Sequence, residues 1–142
     1  MYKNQKNTLS LTDYGGAPAL INVKEAARQN TAYRRALWTG EHLQMTVMCI
    51  PVGEDIGTEM HPNLDQCIRI EEGTALVRSG SCRSAIKDDM RVGEGTAFFI
   101  PAGTYHNVVN VGRTPLRLSS FYAPPAHLRG TVHATQEEAH HE

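Results

Sequence analysis

The stretches GEDIGTEMHPNLDQCIRIEEG, residues 53–73, and GTAFFIPAGTYHNVVN, residues 95–110, decide how this chain of 142 residues reads. In the first, Glu59 and His61 stand two apart on a presumed strand, so their side chains share one face. A carboxylate and an imidazole turned together into a closed barrel are each costly to bury unpaired, and a shared metal ion resolves both. The triplet alone is a weak signal, because two solvated residues on an outward strand face look the same. The turn Pro62-Asn63-Leu64-Asp65 reverses the chain, so that Gln66 starts the next strand and faces Glu59 and His61 across the ladder. In the second stretch Pro101 and Gly103 force a tight turn that delivers His106 onto a strand, with Val108 and Asn110 on the same face. Four candidate donors, Glu59, His61, Gln66 and His106, thus converge from three strands. Asp65 is the alternative to Gln66, although strand alternation points it the other way.

Outward from these stretches, short runs rich in Val, Ile, Thr, Leu and aromatic residues recur, divided by Gly, Pro, Asn and Asp. They predict strands at 32–38, 42–50, 57–61, 66–71, 74–78, 97–100, 104–110 and 116–122, with no helical pattern between them. Eight such strands mean an all-β antiparallel sandwich, jelly roll or barrel. Residues 78–93 read as a polar, charged hairpin region and the most exposed part of the barrel. Residues 1–30 form an N-terminal arm, in which Asn22-Val23-Lys24-Glu25 resembles a capping box opening a short helix through about Gln29. The barrel occupies 31–125. After Pro124-Pro125 the chain leaves it, and 126–142 is a C-terminal strap and tail whose last residues, with the His140-His141 pair, are expected to fray.

The spacings within the two stretches resemble the paired motifs of the cupin superfamily, G-x5-H-x-H-x4-E-x6-G and G-x5-P-x-G-x2-H-x3-N. Gly53, His61 and Gly73 match the first, and Gly95, Pro101, Gly103, His106 and Asn110 fill every fixed place of the second. The resemblance implies a cupin double-stranded β-helix, a jelly-roll barrel, of the small single-domain metal-binding type. The first motif departs at two ligand places: Glu59 stands where germin-type cupins carry His, and Gln66 where they carry Glu. The carboxylate count is unchanged. Two imidazoles, one carboxylate and one amide oxygen suit a divalent transition metal, Zn, Mn, Fe or Ni, and leave a site charge of about +1. Glu59, His61 and His106 alone resemble the two-His-one-carboxylate set of non-haem iron oxygenases. A glutamine ligand is similar to that of the zinc-dependent phosphomannose isomerases. No catalytic residue is assigned.

Composition narrows the partners. Lys plus Arg number 14 and Asp plus Glu 15, a formal charge of −1, so no electrostatic footprint for nucleic acid or an anionic membrane is present. No apolar run approaches a membrane span. Lys3 and Lys6 could open a secretory n-region, but no apolar h-region follows, and the expected location is the cytoplasm. Cys49, Cys67 and Cys82 form no CxxC pair and read as small buried or half-buried apolar residues in a reducing compartment. Tyr33, Leu37 and Trp38 lie on a segment expected to form a sheet edge, which predicts a homodimer. His42 and Gln44 could line the pocket or, equally, lie on an outer face or a dimer interface, and His127 and His133 read as a surface strap. Arg34, Arg35 and Arg117 are possible anion clamps or solvated ion pairs. Tyr33, Trp38, Phe99 and Tyr122 read as packing, and Tyr105 as facing away from the metal.

Two functional classes follow. The first is a metalloenzyme acting on a small oxygenated or sugar-like molecule by isomerase, lyase or dioxygenase chemistry. The second is a non-catalytic module binding a metal or small ligand for storage or sensing. The fold alone does not choose between them.

Overall fold

Residues 9–86 and 88–140 are described by a computed structural model of the chain. Lys3, Lys6 and His141 lie outside the described residues. Among the described residues there are nine strands: β1 (Arg34–Thr39), β2 (Gln44–Ile50), β3 (Asp65–Glu72), β4 (Ala75–Gly80), β5 (Asp88–Val92), β6 (Ala97–Ile100), β7 (Tyr105–Asn110), β8 (Leu116–Ala123) and β9 (Val132–His133). Two short helices, α1 (Val23–Gln29) and α2 (Gln136–His140), flank them. One sheet runs β6-β3-β8-β2-β1-β9 and the other β5-β4-β7, with antiparallel pairing throughout. This is the jelly-roll double-stranded β-helix.

Strand alternation decides what fills the barrel. On β8, Leu116, Leu118, Ser120 and Tyr122 share a face, and they stand opposite Ile50, Met48, Thr46 and Gln44 of β2. On the other side of β8, Tyr122, Ser120 and Leu118 stand opposite Gln66, Ile68 and Ile70 of β3. The interior is therefore graded along the strands. Ile50, Ile70, Leu116 and Leu118 join Ala75, Val77 and Val108 from the smaller sheet in one apolar cluster, each large aliphatic side chain contributing about 1.5–3 kcal/mol by leaving water. Toward Gln44, Gln66 and Tyr122 the same face turns polar. Stability resides in the aliphatic end, and the polar end is left for chemistry.

The outer face of the larger sheet is covered by the N-terminal arm, where Ala26 and Ala27 of α1 pack on Leu37, Met45 and Val47. The side chain of Asn22 accepts from the Glu25 N–H at the start of α1. At its other end, Arg117 of β8 donates to the Asn30 carbonyl at 2.7 Å and reaches the Ala27 carbonyl, a cation placed on the carbonyls of the helix end. Asp13 ties three segments together: its carboxylate accepts from the Gly15 N–H, the Thr39 hydroxyl and the Gly130 N–H. Burial works against the charged form, but the hydrogen bonds from Thr39, Gly130 and Gly15 prevail and hold the Asp13 carboxyl below its ordinary range. No helix among the described residues is long and apolar enough to cross a membrane.

Several expectations are corrected. Residues 57–61 are not a strand. The chain runs there as a loop beside β7, with isolated bridges of Asp55 with Val109 and Glu59 with His106 and the Ile56 N–H on the Val108 carbonyl between them. Gly57, at φ +83°, breaks the ladder at one end and Pro62 at the other. Residues 78–93 are the hairpin region expected, but its returning arm is β5, a strand missing from the eight expected, paired with β4. The segment expected at the sheet edge is covered, because β9 pairs with Arg34 and Arg35. The tail expected to fray forms α2, held by the Gln136 side-chain amide on the Asp55 carbonyl at 2.6 Å.

Candidate metal centre

Glu59 and His106 face each other because their backbones form a reciprocal antiparallel bridge: Glu59 N–H donates to the His106 carbonyl at 3.0 Å and His106 N–H to the Glu59 carbonyl at 2.9 Å. Side chains of directly opposed residues emerge on one face. His61 is pinned two residues on, where its carbonyl accepts from the Gly103 N–H at 2.9 Å. That contact needs the Pro101 turn to bend with Gly103 at φ +85°, a left-handed conformation open to glycine. The turn that delivers His106 thereby also docks His61.

The ligand atoms of Glu59, His61 and His106 all lie within 4.8 Å of one another. Glu59 Oε1 is 3.4 Å from His106 Nε2 and 3.5 Å from His61 Nε2. These separations are long for hydrogen bonds, yet near the roughly 3.4 Å spacing of two ligands that each sit about 2.1 Å from one tetrahedral ion. The Nδ1 of His106 is 3.0 Å from the Thr104 carbonyl, an acceptor only, so Nδ1 carries the proton and Nε2 offers its lone pair to the carboxylate side. Neither His61 Nε2 nor His106 Nε2 has a good hydrogen-bond partner, although both are buried. The His106 lone pair, the His61 ring nitrogen and the Glu59 carboxylate facing one another form a set that could hold a metal ion. Burial by itself would raise the Glu59 carboxyl, but a proton on either facing imidazole, His106 or His61, outweighs it and holds the group well below the usual carboxylate range. His106 is fully buried, while the side chains of Glu59 and His61 are 28% and 23% exposed. The centre opens to solvent on their side.

Gln66 is placed on the same interior. Its amide nitrogen donates to the Ser120 hydroxyl at 2.8 Å, which orients the carbonyl oxygen Oε1 away from Ser120 and leaves it buried without a partner. It pairs across the sheet with Tyr122, whose ring stands edge-on to His61 at 6.1 Å. Asp65 is spent elsewhere: its carboxylate accepts from the Ala102 N–H at 2.9 Å on the exposed side of the turn. Asn110, the last residue of the second motif, braces the scaffold, donating to the carbonyls of Ile50 and Thr114.

Other candidates sort by location. His42 precedes β2 and is 86% exposed beside Glu41. Gln44 is fully buried, and its side chain fastens the strap, donating to the His127 carbonyl and accepting from the N–H groups of Ala126 and His127. His127 and His133 do not lie on the outside: the His127 ring packs edge-on against Tyr122 at 5.3 Å and against His133 at 6.2 Å. Arg35 bonds Asn30, and Arg117 serves α1, whereas Arg34 is buried. Tyr105 turns outward under Arg83. Tyr33 is more than packing. Its hydroxyl donates to the Ile56 carbonyl, and burial pushes its pKa up to about 12, against the Arg34 charge and helped by that of Glu59. Nothing in the local sequence distinguished Tyr33 from a core aromatic, because the loop bearing Ile56 and Glu59 reaches it only in the folded barrel.

The fold and the site together define a small cupin with a candidate metal centre. The chain belongs to the cupin domain family, whose profile matches residues 46–122. The crystal structure of BH2720 from Bacillus halodurans is similar to it at a TM-score of 0.91 and 50% identity, covering 92% of this chain and 99% of that one. The uncharacterized protein YrkC of Bacillus subtilis is 47% identical over 135 residues, 95% of this chain and 73% of the relative. The uncharacterized protein L612 of Acanthamoeba polyphaga mimivirus is 40% identical over 115 residues, 80% of this chain and 69% of the relative.

Proposed function

We propose that this cupin is a metal-dependent enzyme acting on a small oxygenated molecule, with the ion held by Glu59, His61 and His106 and by the amide oxygen of Gln66. The observation that carries this reading is the convergence of two buried imidazole nitrogens, neither with a hydrogen-bond partner, on one carboxylate. Zn, Mn, Fe and Ni all suit such a mixed nitrogen and oxygen set. When bound, the ion supplies Lewis acidity toward a carbonyl or hydroxyl oxygen. The chain's own residues do the rest. Thr104 holds the His106 tautomer, Ser120 holds the amide of Gln66, and Tyr122 with the strap carrying His127 screens the centre from bulk water. Isomerase, lyase and dioxygenase chemistry are the reactions to be sought.

Metal analysis of the protein as purified is expected to find close to one divalent ion per chain, and a turnover screen with that same ion tests the enzymatic reading. Protein that stays metal-free in micromolar Zn, Mn, Fe and Ni would refute the centre. Metal-replete protein without turnover across sugars, hydroxy acids and enols would favour a storage or sensing module.

We also propose a homodimer. The support is Phe99, 74% exposed on β6, which ends the larger sheet with an unpaired edge. A sedimentation mass near 15.7 kDa at working concentrations would refute it. The three free cysteines, Cys49, Cys67 and Cys82, fit a reducing compartment such as the cytoplasm.

A further inference from the structure

The polar interior extends beyond the four proposed ligands to a buried cation. Arg34 of β1 stands opposite Met48 of β2 on the inward face, and Met48 belongs to the interior cluster. The residue is only 6% exposed. Among the described residues its guanidinium makes one hydrogen bond, from Nη1 to His133 Nδ1 at 3.3 Å, and it lies over the Tyr33 ring at 5.3 Å. It forms no ion pair there, and its Nε is buried without a partner. A permanent charge with one side-chain acceptor and a buried, unpartnered Nε is an expensive arrangement in a low-dielectric interior unless something completes it. Arg35 and Arg117, by contrast, are satisfied by the Asn30 side chain and by helix-end carbonyls on the outer face.

A chain of ring contacts runs from Arg34 to the centre. Its partner His133 packs on His127, His127 on Tyr122, and Tyr122 on His61, in ring-to-ring steps of 6.2, 5.3 and 6.1 Å. On the other side, the hydroxyl of Tyr33 bonds the loop carbonyl of Ile56, three residues before Glu59. With a divalent ion in place, this interior would hold positive charge at both the centre and Arg34.

We propose that Arg34 is an anion-recognition residue of this interior and that the site takes a small carboxylate-bearing molecule, its carboxylate engaged by Arg34 and another of its oxygens turned to the metal. A guanidinium presents paired N–H groups matched to a carboxylate, and the unused Nε supplies half of such a pair. The inference deepens the metal-dependent reading and rests on it for the second contact only.

The test is calorimetric titration in chloride-free buffer with two acids, acetate and pyruvate, and their neutral amides, acetamide and pyruvamide. Each is titrated into Mn2+-loaded and EDTA-stripped protein, with metal content measured on the same samples. The wild type is expected to prefer each acid over its amide in both forms. Arg34→Gln is expected to lose about 10- to 100-fold in affinity for the acids, the worth of a charged hydrogen-bonded contact, with no change for the amides and no change in Mn2+ affinity. Arg34→Lys, which keeps the charge and loses the fork, should fall between them. Should Arg34→Gln fail to fold, the acid-over-amide preference of stripped wild type and the Arg34→Lys titration decide. Equal acid binding by wild type and variant, or no acid preference in stripped wild type, would overturn the proposal. Charge-selective binding that depends on Arg34 in a protein taking up no metal would sustain Arg34 and refute the metal centre; a loaded centre with binding indifferent to Arg34 would do the reverse.

Discussion

His61→Ala is expected to lower divalent-metal affinity by more than 100-fold, beyond the ~10–100-fold typical of losing a residue that only supports a ligand. The substitution leaves His106 as the sole nitrogen donor, facing Glu59 and an amide oxygen, a set that transition metals hold far less tightly. His61 is partly exposed, and its backbone contact to Gly103 does not use the imidazole, so the variant should fold. Competition against a chromophoric chelator gives the affinity, and the melting temperature without metal checks the fold. Stoichiometric metal retained at wild-type affinity would show that the ion, if any, is held elsewhere.

Gln66→Glu is expected to act in opposite directions on metal binding and on the metal-free protein. The Ser120 hydroxyl, which now accepts from the Gln66 amide, can rotate and donate to a carboxylate. A bound ion then gains a second negative ligand, and affinity should rise. Without the ion, a second buried carboxylate joins the Glu59 region uncompensated, and about 3–5 kcal/mol of stability should be lost. Chemical denaturation with and without metal reads both effects. If the centre is catalytic, turnover should fall, because site charge drops from about +1 to about 0 and Lewis acidity with it. A storage module would gain affinity with no functional penalty. A rise in affinity and turnover together would refute this account of the glutamine.

What could be read before folding was set by local rules. Pro101 and Gly103 announce a turn whatever surrounds them, and the turn fixes where His106 falls; the alternation from Gln66 through Ile70 is likewise local, and it placed these side chains on the interior face. Features made by distant partners were not legible. Glu59 and His61 share a site although they lie on a loop, because the bridge to His106 orients them as a strand would have done. β5 was obscured by Asp88, Asp89 and Arg91, charges that an exposed strand tolerates. β9 is too short to declare itself, and Arg34 with His133 holds it from across the chain. Gln44 looked like a pocket residue for the same reason, since its partners at 126 and 127 are 82 and 83 positions away. α2 did carry a local signal, helix-favouring Gln136, Glu137, Glu138 and Ala139 behind a Thr135 side chain that caps the Glu138 N–H, hidden in a tail read as polar surface.

The Asp13 carboxylate has a bearing on the order in which the molecule is built. It joins residues 117 positions apart, and the first strand of the barrel finds one of its two neighbours in β9, close to the last residues described. During synthesis, therefore, the N-terminal segment emerges long before the groups that will anchor it exist. β8, inserted between β2 and β3, must also arrive before the larger sheet is continuous. Such distant pairings pay their chain entropy early and collect stability late, so assembly is set by the completion of the C-terminal third and belongs to the slow, milliseconds-to-seconds regime of all-β domains. A nascent chain arrested before residue 116 would carry Glu59, His61 and His106 with no closed barrel around them.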